Sequence, residues 1–319
     1  MRRRVLVAAL LVSIGAAYGA VGARGDGLPV LGVDVGGTGV TTAGGADRYV
    51  TMTAGRGTVV ARIQVRGGQV ATSRLLKGAF TIPAVAYDGS ASGLSADGRT
   101  LVLIEPRASF PRSETTLVAL GADTLRIRRV IRLRGDFGFD AISPGGRVLY
   151  VIQYYNPSDP SAYRVRALDL RDGRLLAKPI VDPTSPKEQM RGYPLSRATS
   201  PNGRWAYTLY NGSGGMPFVH MLDTSGLTAR CVDLDGLGGA DLSRARLVVQ
   251  RNGGSVAVMR GHHRLAVVDA RTFRVGPSGS GGVAWVAAAV AAGTVATLLA
   301  FAVLLQIRLR RRREPALVH

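Results

Sequence analysis

A polar glycine turn followed by an alternating apolar strand recurs along the middle of this 319-residue chain, and it limits the possible folds more than any other feature. The clear copies read Ser95-Ala-Asp-Gly-Arg99-Thr-Leu-Val-Leu103, Ser143-Pro-Gly-Gly-Arg147-Val-Leu-Tyr150 and Ser200-Pro-Asn-Gly-Arg204-Trp-Ala-Tyr207. Weaker copies are Asn252-Gly-Gly-Ser-Val-Ala-Val258 and Gly44-Gly-Ala-Asp-Arg48-Tyr-Val50. Glycine reaches the positive φ of a tight turn without strain, and Asp or Asn tolerates it. The alternation that follows is the period of a strand with one buried face.

A second signature trails each copy: an apolar strand ending in Asp, a short turn, then another strand. The aspartates are Asp123, Asp169, Asp223 and Asp269, spaced 46, 54 and 46 residues apart, with Gln64 in the first copy. Four short strands per period of about 40–50 residues is the spacing of a β-propeller blade. One blade cannot bury both faces alone, so neighbours must stack. The two-part pattern resembles the YVTN and WD-like propeller repeats, in which a Pro-Asp-Gly turn precedes one strand and an Asp-Thr turn follows the next. The resemblance implies an all-β fold, a propeller of about five four-stranded blades over residues 28–275. It implies little about function, because propellers host many. A generic β-sandwich is the plainer alternative. A sixth blade could lie in Ser73–Gly93 or Val181–Ala198, and Leu28–Asp34 could pair beside Phe273–Val275 to close the ring.

Apolar segments bracket the repeats. Residues 1–23 begin Met1-Arg-Arg-Arg4, run apolar and end in small residues, the pattern of a secretory signal peptide or an N-terminal anchor. Val283–Ile307 is 25 residues without a charge, long enough to span a bilayer core as a transmembrane helix. Trp285 stands near its start, and Arg308, Arg310, Arg311, Arg312 and Arg313 follow its end. The positive-inside rule makes the basic tail 308–319 cytoplasmic. The propeller is then extracellular, held by the Gly/Ser linker 276–282 to a single-pass span in the cell membrane.

The single cysteine, Cys231, excludes an intramolecular disulfide, and its alternating strand points to a buried structural thiol. Heavy Ala, Gly, Arg and Val usage is that of a high-GC Gram-positive bacterium. Net charge is +20, of which about +13 falls between the two apolar ends. Outside a membrane, nucleic acid is a poor partner for that charge; anionic wall polymers or lipid headgroups suit it better. Arg126–Arg129 and Arg132–Arg134 could form a basic edge, against the plainer reading of arginines scattered over solvated strands.

Few residues carry chemistry. Asp34-Val-Gly-Gly-Thr-Gly39 resembles the phosphate turn of actin-like sugar kinases, but no amphipathic helix follows it. Asp136-Phe-Gly138 lacks a kinase catalytic loop around it. No metal or cofactor motif is present, and His262 and His263 read as a hairpin turn. His220 lies within a strand, more in keeping with packing than with ligation. Asp88 and Asp140 could face a central channel, yet no local motif matches the lactonase-type propellers, so the reading leans away from an enzyme and assigns no catalytic residue. The longest loops, Phe80–Leu94, Tyr154–Tyr163 and Asp182–Leu195, carry Tyr87, Tyr154, Tyr155, Tyr163 and Tyr193. Tyrosine beside arginine is the composition of a binding patch; the alternative is that these rings pack the loops onto the blades. The expected role is a cell-surface binding or scaffolding module for an envelope protein or wall polymer. A lactonase-like hydrolase and a sensor acting through a membrane partner are the alternatives.

Overall fold

The computed structural model describes residues 39–187, 190–250 and 253–276. The signal segment, the closing strand at 28–34, the apolar span at 283–307 and the basic tail lie outside the described residues. So does all of the linker beyond Gly276. No helix among the described residues is long and apolar enough to cross a membrane.

The fold is all-β and built from five consecutive antiparallel sheets in a propeller-like array. Sheet 1 holds β1 (Val40–Thr41), β2 (Asp47–Ala54), β3 (Gly57–Gln64) and β4 (Val70–Lys77). Sheet 2 holds only β5 (Thr100–Ile104), β6 (Glu114–Gly121) and β7 (Ile127–Arg134). Sheet 3 holds β8 (Asp136–Ile142), β9 (Val148–Tyr154), β10 (Tyr163–Asp169) and β11 (Arg174–Ile180). Sheet 4 holds β12 (Pro194–Thr199), β13 (Trp205–Tyr210), β14 (Phe218–Asp223) and β15 (Thr228–Asp233). Sheet 5 holds β16 (Ala245–Val249), β17 (Ser255–Arg260), β18 (His263–Asp269) and β19 (Val275–Gly276). Among the described residues, neither segment proposed for a sixth blade forms a sheet of its own.

The repeated motif is one structural device. Ser95, Ser143 and Ser200 each accept through Oγ the backbone N–H that opens the strand after the turn (β5, β9 and β13), at 2.9–3.0 Å, from Thr100, Val148 and Trp205. Gly98, Gly146 and Gly203 sit at φ +69°, +68° and +72°, where an L side chain is strained. The turns meet one another at one end of the array: a Cβ on Gly203 would lie 2.5 Å from the Cβ of Ala96. Gly98 has the same backbone but open space around it. Gly203→Ala is therefore expected to lose more stability than Gly98→Ala. The positive φ costs each about 1–2 kcal/mol, and the collision adds roughly another 1–3. Urea denaturation of the two variants measures the difference, and equal losses would show that the turns do not pack together.

The Asp signature belongs to the same device. Arg147 reaches Asp169 at 3.7 Å and Arg204 reaches Asp223 at 2.8 Å, so the two halves of the repeat form an ion pair within one sheet. Sheet 2 corrects the sequence reading here. Thr100 pairs with Gly121, as Val148 pairs with Asp169 and Trp205 with Asp223. Gly121, not Asp123, occupies the repeated position; Asp123 lies in the turn and accepts from the N–H of Thr124 at 2.9 Å.

The missing strand of sheet 2 has a physical cause. Its inner segment contains Pro83, Gly89 and Gly93, which interrupt a ladder. It contributes isolated bridges, Thr81 to Ile104 and Leu94 to Leu101, and folds into a small hairpin through an Ala84–Ala91 bridge. The tip crosses the ring: Tyr87 N–H donates to Pro194 O at 2.9 Å and Asp88 N–H to Leu195 O at 3.1 Å, adding the tip to the free edge of β12.

Apolar clusters join successive sheets from 1 to 5. Among the described residues none joins sheet 5 back to sheet 1, and Met52 and Leu75 of sheet 1 and Val248 of sheet 5 are exposed. The proposed basic edge divides: Arg132 and Arg134 alternate onto one face of β7, while Arg128, at the β-bulge, donates to Thr100 Oγ1 at 3.2 Å. Arg129 turns to the other face and donates to the carbonyls of Arg171 and Asp172 in sheet 3.

Candidate functional site

Each sheet places its repeated turns at one end, so the irregular loops gather at the other. All five tyrosines singled out from the sequence lie at this loop end, but they do different things. Tyr154 and Tyr163 are buried, stacked in a row with Tyr210 and Phe218. These two follow the packing alternative: aromatic stacking and burial outweigh solvation of one hydroxyl. Tyr163 spends its O–H on the carbonyl of Gly192 at 3.1 Å. Tyr154 receives the guanidinium of Arg107 over its ring, 4.7 Å from the centroid. Tyr87 and Tyr193 meet edge to face at 6.3 Å where the hairpin tip meets sheet 4. Only Tyr155 is exposed, with Arg164 stacked 5.5 Å from its ring centre.

A prominent cavity at this end lies away from the inner strands. It is a cleft of about 510 Å³ between sheets 3 and 4, roofed by the loop after β11 and the short 3-10 turn Gly212–Gly214. Apolar and aromatic walls come from Tyr155, Tyr163, Ile180, Met190, Met216 and Phe218. Polar groups converge at its floor: Asp182, His220, Cys231 and Asp233. The smaller space between the inner strands, about 340 Å³, opens among the repeated turns.

The floor follows from strand register. Residues directly opposite in an antiparallel pair share a face. Arg197 on β12 lies opposite Thr208 on β13, Thr208 opposite His220 on β14, and His220 opposite Cys231 on β15. A polar row therefore crosses sheet 4 from its inner strand to the cleft, on the face toward sheet 3. At the inner end, Asp140 of β8 forms a buried ion pair with Arg197. At the outer end, the Sγ of Cys231 lies 3.6 Å from Nδ1 of His220.

Thr208 Oγ1, His220 Nε2, Arg197 Nε and the second oxygen of Asp140 are buried without hydrogen-bond partners. Burial pushes the His220 imidazole down to about 4, so the ring is neutral at physiological pH. Burial opposes the Asp182 carboxylate, but hydrogen bonds from Thr184, the Cys231 backbone and Arg230 outweigh it and hold the group below its ordinary range. Burial, with help from Asp235, pushes Asp233 up.

The acids expected near the axis are committed elsewhere. Asp136 is buried against Arg107 at 2.6 Å and Arg112 at 3.5 Å, and this clamp fixes the loop after β5. Asp88 is exposed on the hairpin tip and accepts from Ser90. Cys231 is half-buried at a cavity wall, which corrects the expectation of an enclosed structural thiol. His262 lies in the β17–β18 turn, as expected, His263 opens β18 opposite Arg260, and both are exposed. His220, Cys231, Met190 and Met216 were not read from the sequence as one site. The signal was available: the hairpin closed by the Asp223–Thr228 pair fixes His220 opposite Cys231.

The sheets and their loop-end cleft define a propeller-like all-β protein. No family model matches the sequence, and no curated protein does. Solved structures with a similar fold include TolB from Acinetobacter baumannii, 15% identical with a TM-score of 0.41 over 72% of this chain and 50% of that one. Another is a functionally unknown protein from Desulfotomaculum acetoxidans DSM 771, 15% identical with a TM-score of 0.48 over 79% of this chain and 72% of that one. A third is the Cps50 (Swd1) β-propeller domain of Myceliophteria thermophila, 10% identical with a TM-score of 0.41 over 72% and 65%. The chain thus spans about half the length of the TolB structure it matches.

Proposed function

We propose that this chain is a membrane-tethered, extracellular propeller that binds a protein partner of the cell envelope through the cleft between sheets 3 and 4. The observation that carries the reading is the cleft itself: about 510 Å³, walled by aromatic and thioether side chains, with a few polar groups on its floor. That combination suits an apolar side chain presented by a partner. Arg164 and Arg191 at its border supply charge for orientation. Tethering is inferred from the charged-then-apolar start of the chain and from the uncharged Val283–Ile307 with its arginine run. The hydrolase alternative draws less support, because Asp136 and Asp140 are each engaged by arginine rather than converging on an open space. Sensing through a membrane partner is compatible with the same cleft.

The test is a photo-cross-linking side chain at position 155 of the full-length chain in its native membrane. One dominant protein adduct is expected, and Ser185→Trp, which fills the cleft, is expected to abolish it. Adducts that ignore Ser185→Trp, or that consist of wall glycan, would falsify the protein-partner reading.

A further inference from the structure

The chemistry at the floor of this cleft is softer than binding a side chain requires. The chain has one cysteine, four histidines and six methionines, and the cysteine, one histidine and two methionines line this single cavity. Thiolate, thioether and imidazole together form the donor set that selects Cu(I) over the harder divalent ions. Elsewhere the same residue types are dispersed: His262 and His263 are exposed at the β17–β18 hairpin, and Met221 is enclosed in the core between sheets 4 and 5.

One hard donor on the floor, Asp182, is already engaged. Asp182 accepts from the Cys231 N–H at 2.8 Å and from Arg230 at 3.0 Å, and also holds the hydroxyl of Thr184. Among the described residues no three His, Cys, Asp or Glu side chains gather as a site for a borderline ion such as Zn²⁺ would require. His220 is 3% exposed, keeps one ring nitrogen 3.6 Å from Sγ of Cys231, and has no hydrogen-bond partner for the other. A buried polar nitrogen in that state lacks the compensation that burial normally demands. Met216 projects from the 212–217 loop, 40% exposed, while Met190 stands on the opposite loop, packed against the tyrosine row. The soft donors therefore come from both walls and the floor.

We propose that the cleft holds a soft monovalent metal ion of the Cu(I) type on the Cys231 thiolate and a ring nitrogen of His220, with the Met190 and Met216 thioethers at its margin. The sulfur–metal bond replaces the S–H bond, so one proton leaves to solvent for each ion bound, and no electron is transferred. Pairing of β14 with β13 on one side and β15 on the other fixes the backbone that carries His220 beside Cys231. This assignment rests on the same cleft as the binding reading and adds a metal to it.

The experiment is an anaerobic competition titration of the full-length chain in detergent, with Cu(I) supplied as its bicinchoninate complex. One Cu(I) per chain is expected to transfer to the protein. Cys231→Ser, close to isosteric, is expected to weaken retention by roughly 100-fold and Met216→Leu by about tenfold, judged against the 10–100-fold that supporting groups contribute at metal sites. His263→Ala, at the exposed hairpin, is expected to change nothing. No transfer to the wild-type chain overturns the proposal, as does wild-type retention by Cys231→Ser. The position-155 cross-link separates the two readings. If it persists in Cys231→Ser while Cu(I) fails to bind the wild-type chain, the metal assignment falls and the partner cleft stands.

Discussion

Arg197→Met is expected to destabilise the protein by about 3–5 kcal/mol, because it strands the carboxylate of Asp140 between sheets 3 and 4 without its counter-ion. Both side chains of the pair are nearly sealed from water, at 5% and 2% exposure. The attraction between them offsets a desolvation cost that neither group could bear alone. Removing one partner exposes that cost; removing both removes it. The double variant Asp140→Leu with Arg197→Met should therefore recover most of the loss. Thermal unfolding of the three proteins measures this, with a drop of roughly 10 °C for the single variant at the 2–4 °C per kcal/mol of a domain this size. A double variant as unstable as the single one would mean that the pair holds something else in place. His220 is the group to examine next, since Arg197 and Asp140 are the charges that act on it most strongly.

Acid should weaken the fold in a window that belongs to His220. Its imidazole titrates at about 4 in the folded protein against 6.5 in the unfolded chain, chiefly because it is buried. Between those values the unfolded chain binds the extra proton and the folded one does not. Stability is therefore lost as pH falls from 6.5 toward 4, by about 3 kcal/mol at the lower limit. Asp182 and Asp223 are shifted in the same direction, but from a lower starting value. Their carboxylates are held low in the folded state, so their contribution is present above 3.8 and is lost only below it. The two windows barely overlap. Urea midpoints between pH 7 and pH 4 should slope downward in the wild-type chain and flatten in His220→Leu. An equal slope in both would place the acid sensitivity elsewhere.

The array was legible in the sequence because its repeated residues serve the backbone. A Ser that caps a turn and a Gly at positive φ must recur wherever the turn recurs, so Ser95, Ser143 and Ser200 mark three sheets directly. The Asp signature was read two residues late in sheet 2, since an aspartate satisfies backbone N–H groups equally well inside the turn. The carboxylate at Asp123 hid the fact that Gly121 holds the paired position. The missing strand of sheet 2 was foreshadowed by Pro83 and Gly93, but its crossing to β12 depends on a partner more than 100 residues away. The site was the least legible part. Loop tyrosines could be listed, yet whether a ring stacks or faces water is decided by neighbours on another sheet. Tyr163 is buried because Tyr154 and Tyr210 flank it. The polar row from Arg197 to Cys231 needs three strand registers in succession, each set by a turn length. Of those, the β14–β15 hairpin alone could have been counted from the sequence.

Cys231 is the chain's single thiol and lines the cleft, so its alkylation rate reports on the central claim without any added label. The measurement is the rate of modification by a membrane-impermeant maleimide on intact cells carrying the full-length chain, compared with the Ser185→Trp variant. An extracellular propeller with an open cleft predicts modification of the wild-type thiol without lysis, and a rate several-fold slower once the tryptophan fills the cleft. A thiol that reacts only after lysis contradicts the extracellular assignment, and a rate indifferent to Ser185→Trp contradicts the cleft.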